Sequence, residues 1–373
     1  MAEELSFGAR DIPACARYGF SARKIWVFFK TLVLSWLIWD IFIYLGFFAA
    51  GCDMAARWSQ SRLLPLPGSL FWMDPVPVVL LAVAVVLILY VLMRGSLMVS
   101  RITFQQIRGD EFFSSRDAAR FARRHRVPLI AIPLMLLFTV VLILAGGALA
   151  GLVSRIPAAG PFITALLSLP LWGSMLLALL TAVALLVSLD LVPAVVASTS
   201  GDSFEAVFEV FSTITSQSWR LFLYVLTAVV TIAAAGIVFL FVSSLAVTVL
   251  SWAFSIGAGA GDVAASMAAG PQLLAPEVLP HFSGLITLGQ QGSGQAWTGL
   301  AGTLAALSGT AVFLITVSYL LSSWSSAWTI IFVVLKRRKD GEDLMERADS
   351  EDSREFDRMY GEASPAKPVA APE

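Results

Sequence analysis

Asparagine is missing from all 373 residues, and histidine and cysteine occur only twice each. Without Asn there is no N-glycosylation acceptor. Two histidines, His125 and His281, are too few for a His-rich metal centre. No His-Glu-x-x-His and no Walker motif is present, so intramembrane metalloproteolysis and nucleotide-driven work within this chain are excluded by residue type. Gly257, Gly259 and Gly261 resemble a phosphate loop only in their glycines: no Lys accompanies them and no strand precedes them. Charge is scarce too, at 14% of residues, where soluble domains carry about 25%. No cofactor is implied, and the chain is expected not to be an enzyme.

Apolar residues fill the space, at 58%. They gather in six runs, roughly 26–50, 76–98, 127–152, 172–197, 221–250 and 309–335. Each matches the ~20 helical residues that cross a hydrocarbon core. The fold class read from this is all-α, a polytopic bundle of six transmembrane helices, in a membrane domain over 26–335 flanked by tails over 1–25 and 336–373. Lys and Arg are lopsided across the runs. Twenty of the 25 fall in the N-terminal tail (including Lys24), the loop 99–126 (including Arg101), Arg220 and the C-terminal tail, against Arg57, Arg62 and Arg155 on the other side. By the positive-inside tendency both tails are cytoplasmic. Cys15 and Cys52 then lie on opposite sides and cannot pair, as do the two histidines. The first run is too long for a signal h-region and reads as an uncleaved anchor. Short loops and an Ala/Leu/Arg-rich composition point to a bacterial inner membrane.

The cytoplasmic segments share a layout. Before the fifth run, Phe204, Val207, Phe208, Phe211 and Ile214 share one helical face, with Glu205, Glu209 and Ser212 opposite and Gly201-Asp202-Ser203 as the N-cap. Before the third, Ala118, Phe121, Ala122 and His125 face away from Arg116, Arg120, Arg123 and Arg124; before the first, Ile12, Cys15, Ala16 and Gly19 form a weaker face. Overlaid without gaps, Tyr18, Phe121 and Phe211 coincide, as do Trp26, Leu129 and Trp219. Three repeated units follow, each an interfacial amphipathic helix, an elbow and a transmembrane hairpin. Elsewhere, Trp58 and Trp72 read as interface anchors. Pro157, Pro161 and Pro170 should end the third run and begin the fourth irregularly. The segment 251–308 is a long Gly/Ala-rich loop or re-entrant piece, and the tail beyond about 340 reads as largely disordered.

Ionisable groups inside a membrane are functional candidates by default. Asp40 lies near the middle of the first run. Lys30, Arg94 and Asp190 lie near one boundary, where they either form a cluster holding three spans or snorkel separately. Ser318, Ser322, Ser325 and Ser326 make a polar face on the last run that either lines a path or hydrogen-bonds between helices. Gly147 with Gly151, and Ala233 to Gly236, are close-packing signals. The basic patch Arg116, Arg120, Arg123 and Arg124 suits anionic lipid headgroups. The expected partners are thus the bilayer, those headgroups and a membrane or cytoplasmic protein, and not nucleic acid.

The stretches Val192–Ala197 (VPAVVA), Gly201–Phe208 (GDSFEAVF) and Trp219–Tyr224 (WRLFLY) resemble a segment of uncharacterised bacterial six-span integral membrane proteins. The layout is similar to the membrane domains that accompany some glycerophosphodiester phosphodiesterases. The chain departs from that pattern at Glu209–Thr213 (EVFST). The resemblance implies the six-span topology and brings no catalytic residues. The expectation is a non-enzymatic scaffold, assembly or interaction component; the alternative is a small-solute permease or transporter subunit using Asp40 and the serine face.

Overall fold

The computed structural model describes residues 7–61, 64–68, 72, 74–157, 159–199, 203–258, 265–267, 299–341 and 344–345. The expectations for Gly201, Asp202, the Phe204 and Glu205 side chains, Gly259, Gly261, His281, most of 251–308 and the tail beyond 345 lie outside them. The helices are α1 (Ala14–Gly19), α2 (Ala22–Ala49), α3 (Met54–Ser61), α4 (Pro75–Ile107), α5 (Ser115–Arg124), α6 (Arg126–Val153), α7 (Ala159–Leu166), α8 (Ser168–Thr199), α9 (Ser203–Ser216), α10 (Ser218–Ala258) and α11 (Gly299–Asp340). Among the described residues there is no strand.

Six of these, α2, α4, α6, α8, α10 and α11, are long and apolar enough to cross a bilayer, as a multi-pass membrane protein requires. A helix satisfies its own backbone donors and acceptors, the condition for surviving in lipid. Local signals set the ends. Asp74 occupies the N-cap position of α4 ahead of Pro75 at its first position, and Gly109 at φ +99° lies just past its C-cap, a backbone geometry that disfavours a Cβ. Ser114 caps α5 by accepting the Asp117 N–H, and the non-helical backbone of His125 separates α5 from α6. The Pro-rich turn after α6 yields the short α7 before α8 starts, as its prolines lead one to expect.

The layout of short helix followed by two spans occurs three times: α1 with α2 and α4, α5 with α6 and α8, α9 with α10 and α11. The second spans, α4, α8 and α11, pack on one another at the centre, and each first span packs on its own second span. The short helices do something less obvious: each packs on both spans of the hairpin before it. Helix α5 sits on α4 and α2, and α9 sits on α8 and α6. Helix α1, with no hairpin before it in the described residues, sits on α11 and α10, closing the ring. The closure continues at Phe7, whose ring lies 3.7 Å under the Arg337 guanidinium and whose carbonyl accepts from Arg338 Nε at 2.8 Å.

All three units feed one hydrophobic core at the end of the bundle that carries the short helices. It takes Ile12 from the turn before α1, Cys15 from α1, Phe121 from α5, Val210 from α9, Leu97 and Phe104 from α4, a block over Leu191–Ala197 from α8 and another over Ile330–Leu335 from α11. Towards the far end the helices turn apolar side chains outward, as Leu142, Leu149 and Leu180 do, where lipid rather than protein covers them.

Three residues depart from their expected places. Arg101, counted as a loop cation, lies inside α4, which runs nine residues past the apolar run, and is 3% exposed. Lys24, counted in the basic tail, is fully buried in the first turn of α2. Glu209, expected opposite the apolar face of its helix, is 6% exposed and accepts from Lys336 Nζ at 2.9 Å. The cause is common to all three. At this end the surroundings of a span are other helices, whose carbonyls and charges satisfy groups that neither lipid nor a bare helix could.

Candidate functional site: a polar seam on the last span

Helix α11 presents Ser318, Ser322, Ser325 and Ser326 along one side, at the helical spacing that puts polar groups against neighbours. All four are buried. Ser318 Oγ turns back to the Leu314 carbonyl at 2.6 Å. Ser322 Oγ donates to the Gly19 carbonyl at 2.9 Å, tying α11 to α1. Ser325 Oγ lies 2.8 Å from Ser96 Oγ, and Ser326 Oγ lies 3.0 Å from Thr103 Oγ1, both on α4. The seam continues into the first unit. Lys24 Nζ donates to Thr103 Oγ1 and to the Tyr18 carbonyl, each at 2.8 Å. One buried lysine amine is thereby linked through a threonine hydroxyl to the sixth span.

Small residues make these approaches possible. A Cβ on Gly19 would stand 2.5 Å from the Cα of Ser323, closer than any side chain can come. Gly95 is equally close-packed: its Cβ would stand 2.7 Å from Thr31 Oγ1. Of the pair read as a packing signal on α6, Gly147 meets Met175 of α8 whereas Gly151 faces open space. Gly236 packs against Leu320.

On the other flank, Trp324 Nε1 donates to Asp190 Oδ1 at 3.0 Å, joining α11 to α8. Arg101 donates to the Ala197 carbonyl at 2.9 Å and lies 4.4 Å from the Phe121 ring, tying α4 to α8 and α5. Lys336, Lys339, Glu209 and Asp340 form an ion-pair group that fastens α9 to the end of α11. A charged network that is nearly all satisfied in a poorly hydrated place specifies one packing arrangement.

The four intramembrane ionisable residues do not gather. Asp190 is taken by Trp324. Lys30 is exposed, its Nζ 5.9 Å from the Trp26 ring, as snorkelling beside an aromatic leaves it. Arg94 is half-buried on α4, and among the described residues no ion pair joins Lys30 or Arg94 to Asp190. Asp40 is half-buried in α2, and its Oδ1 is a buried atom without a hydrogen-bond partner. Arg116, Arg120, Arg123 and Arg124 are all exposed on α5, with Arg120 paired to Asp117 at 3.0 Å. Trp58 and Trp72 are exposed at the far end, with Trp58 against Tyr44.

Sequence reasoning missed Lys24, Thr103 and Arg101 as members of the seam. For Arg101 and Thr103 the signal was present in the polar stretch Ser100–Gln106, which keeps helical spacing past the last apolar residue of the run. Among the described residues no three His, Cys, Asp or Glu side chains come together as metal ligands would. No protein-family model, curated protein or solved structure matches this chain.

Proposed function

We propose that this protein is a non-enzymatic membrane scaffold or interaction component, a closed ring of three helical units seated with its short helices in the cytoplasm. The observation that carries the reading is the state of the serine face. Ser322, Ser325 and Ser326, the polar groups best placed to line a path, are spent on hydrogen bonds to α1 and α4. A permeation route needs polar groups that exchange partners with water or solute; these hold helices together. The cytoplasmic placement follows from the concentration of Lys and Arg at the end bearing α1, α5 and α9. A bacterial inner membrane fits the short loops.

The permease reading retains one observation in its favour, the unpaired Oδ1 of Asp40. Cysteine accessibility separates the two. In a background with Cys15 and Cys52 replaced by alanine, Ser325→Cys and Asp40→Cys are treated with a membrane-impermeant thiol reagent from each side. The scaffold reading expects neither to label in the folded protein. Labelling of both, from either side, establishes a hydrated route past α2 and α11 and replaces it with the permease.

A further inference from the structure

We propose that a recess of about 340 Å³ between α10 and α11 holds one acyl chain of a phospholipid. The lipid belongs to the leaflet away from the short helices, and its ester carbonyl accepts a hydrogen bond from Ser243. The volume falls in the range of sites that take a small ligand. The walls are apolar, with Phe239 and Val247 from α10 facing Val312 and Ile315 from α11, and Ser243 carries the one hydroxyl that lines them.

Two close approaches bracket the recess. A Cβ is absent from Gly236 of α10, where it would stand 2.7 Å from Leu320 Cδ2 of α11. At the other end Met267 lies so near α11 that a Cβ on Gly309 would collide with the Met267 carbonyl. Between these points α10 offers the small side chains of Ser243 and Ala246, which leave the gap unfilled. Phe239 is fixed in place, stacked on Tyr319 with 4.9 Å between ring centroids. Leu250 and Ile315 stay partly exposed at the rim, so the recess opens to its surroundings.

Depth and polarity select the ligand. From Arg220 to Ser243, α10 rises about 34 Å; from Val312 to Lys336, α11 rises about 36 Å. Both helices thus bring the recess to the far edge of a hydrocarbon core of ~30 Å, where acyl chains meet their esters. Ser243 also differs from its neighbours. Ser244 and Thr248 turn their hydroxyls back to the carbonyls of Phe241 and Ser244, whereas Ser243 makes no hydrogen bond among the described residues. A hydroxyl at the edge of hydrocarbon gains from any acceptor brought to it. An ester supplies that acceptor and its chain fills the apolar volume. No charged group lines the recess, so the phosphate stays outside.

The test uses the full chain, delipidated in maltoside detergent and titrated with a phosphatidylcholine that carries a diazirine on one acyl chain. Adducts formed on illumination are mapped by mass spectrometry. Adducts at Val247, Val312 and Ile315 should saturate at one lipid per chain. Phe241 and Leu245, exposed on the opposite side of α10, should label in proportion to the probe. Ala246→Phe fills the recess and should abolish its adducts while leaving those at Phe241 and Leu245 unchanged. Ser243→Ala keeps the space, removes the donor and should weaken saturation about fivefold; it decides the matter if Ala246→Phe melts at a lower temperature. Recess adducts that fail to saturate, or that persist unchanged in either variant, overturn the proposal. So does a lack of recess adducts, as a second copy seated there would give. Stronger protection by free oleate than by unlabelled phosphatidylcholine assigns the recess to a free acid and overturns it too.

Discussion

Lys24 Nζ stands 2.8 Å from Thr103 Oγ1, across the contact between α2 and α4. A buried amine held by neutral acceptors depends on each of them, since a buried polar group left without its partner costs about 1–3 kcal/mol. Thr103→Val should therefore destabilise the protein by about 2 kcal/mol in reversible detergent unfolding. Lys24→Met removes the amine together with its needs and should cost less. If Lys24→Met proves the more damaging, the amine contributes net stability and the argument is wrong.

The contact between α1 and α11 has no slack at Gly19. Gly19→Leu should separate the two helices and break the Ser322 hydrogen bond, lowering the unfolding midpoint sharply. Gly151→Leu, at a glycine with open space before it, should leave the midpoint unchanged within error.

Asp40 offers an opposite expectation. A buried carboxylate oxygen without a donor is a cost to the fold, so Asp40→Leu should raise stability by about 1–3 kcal/mol. A loss of stability on this substitution would show that the carboxyl has a partner in the membrane.

Cys15 supplies the pH dependence. Burial pushes its thiol from an ordinary 9.0 up to about 11, so the folded state holds the proton that the unfolded state releases more readily. Below about pH 9 both states are protonated and the group is neutral for stability. As pH rises from there towards 11, the unfolded thiolate gains and stability falls. Unfolding midpoints measured across that range should decline less in Cys15→Ala than in wild type. The same burial should keep Cys15 unreactive towards alkylating reagents at pH 8 until the protein unfolds.

The six long helices were legible because lipid-facing surface leaves no choice of residue: a run such as Val78–Val91 has one reading. The outward arc of α5 was legible from helical spacing alone. What escaped was whatever depended on neighbours distant in sequence. Ser100, Arg101, Thr103 and Gln105 look like the start of a loop, and only their enclosure by α5, α8 and α11 makes them helical core. Glu209 reads as a surface acid until Lys336, 127 residues away, is brought beside it. The seat of α1 on α10 and α11 leaves no trace in local pattern, because ring closure is a property of the whole chain.

That closure bears on how the protein is made. Helices α5 and α9 find their hairpins already synthesised, whereas α1 is made before either of the two spans that seat it. Until the sixth span arrives, the Gly19 carbonyl lacks Ser322 and Thr103 lacks Ser326. A chain without α11 therefore carries unmet polar groups, and that helix acts as the keystone that conceals them.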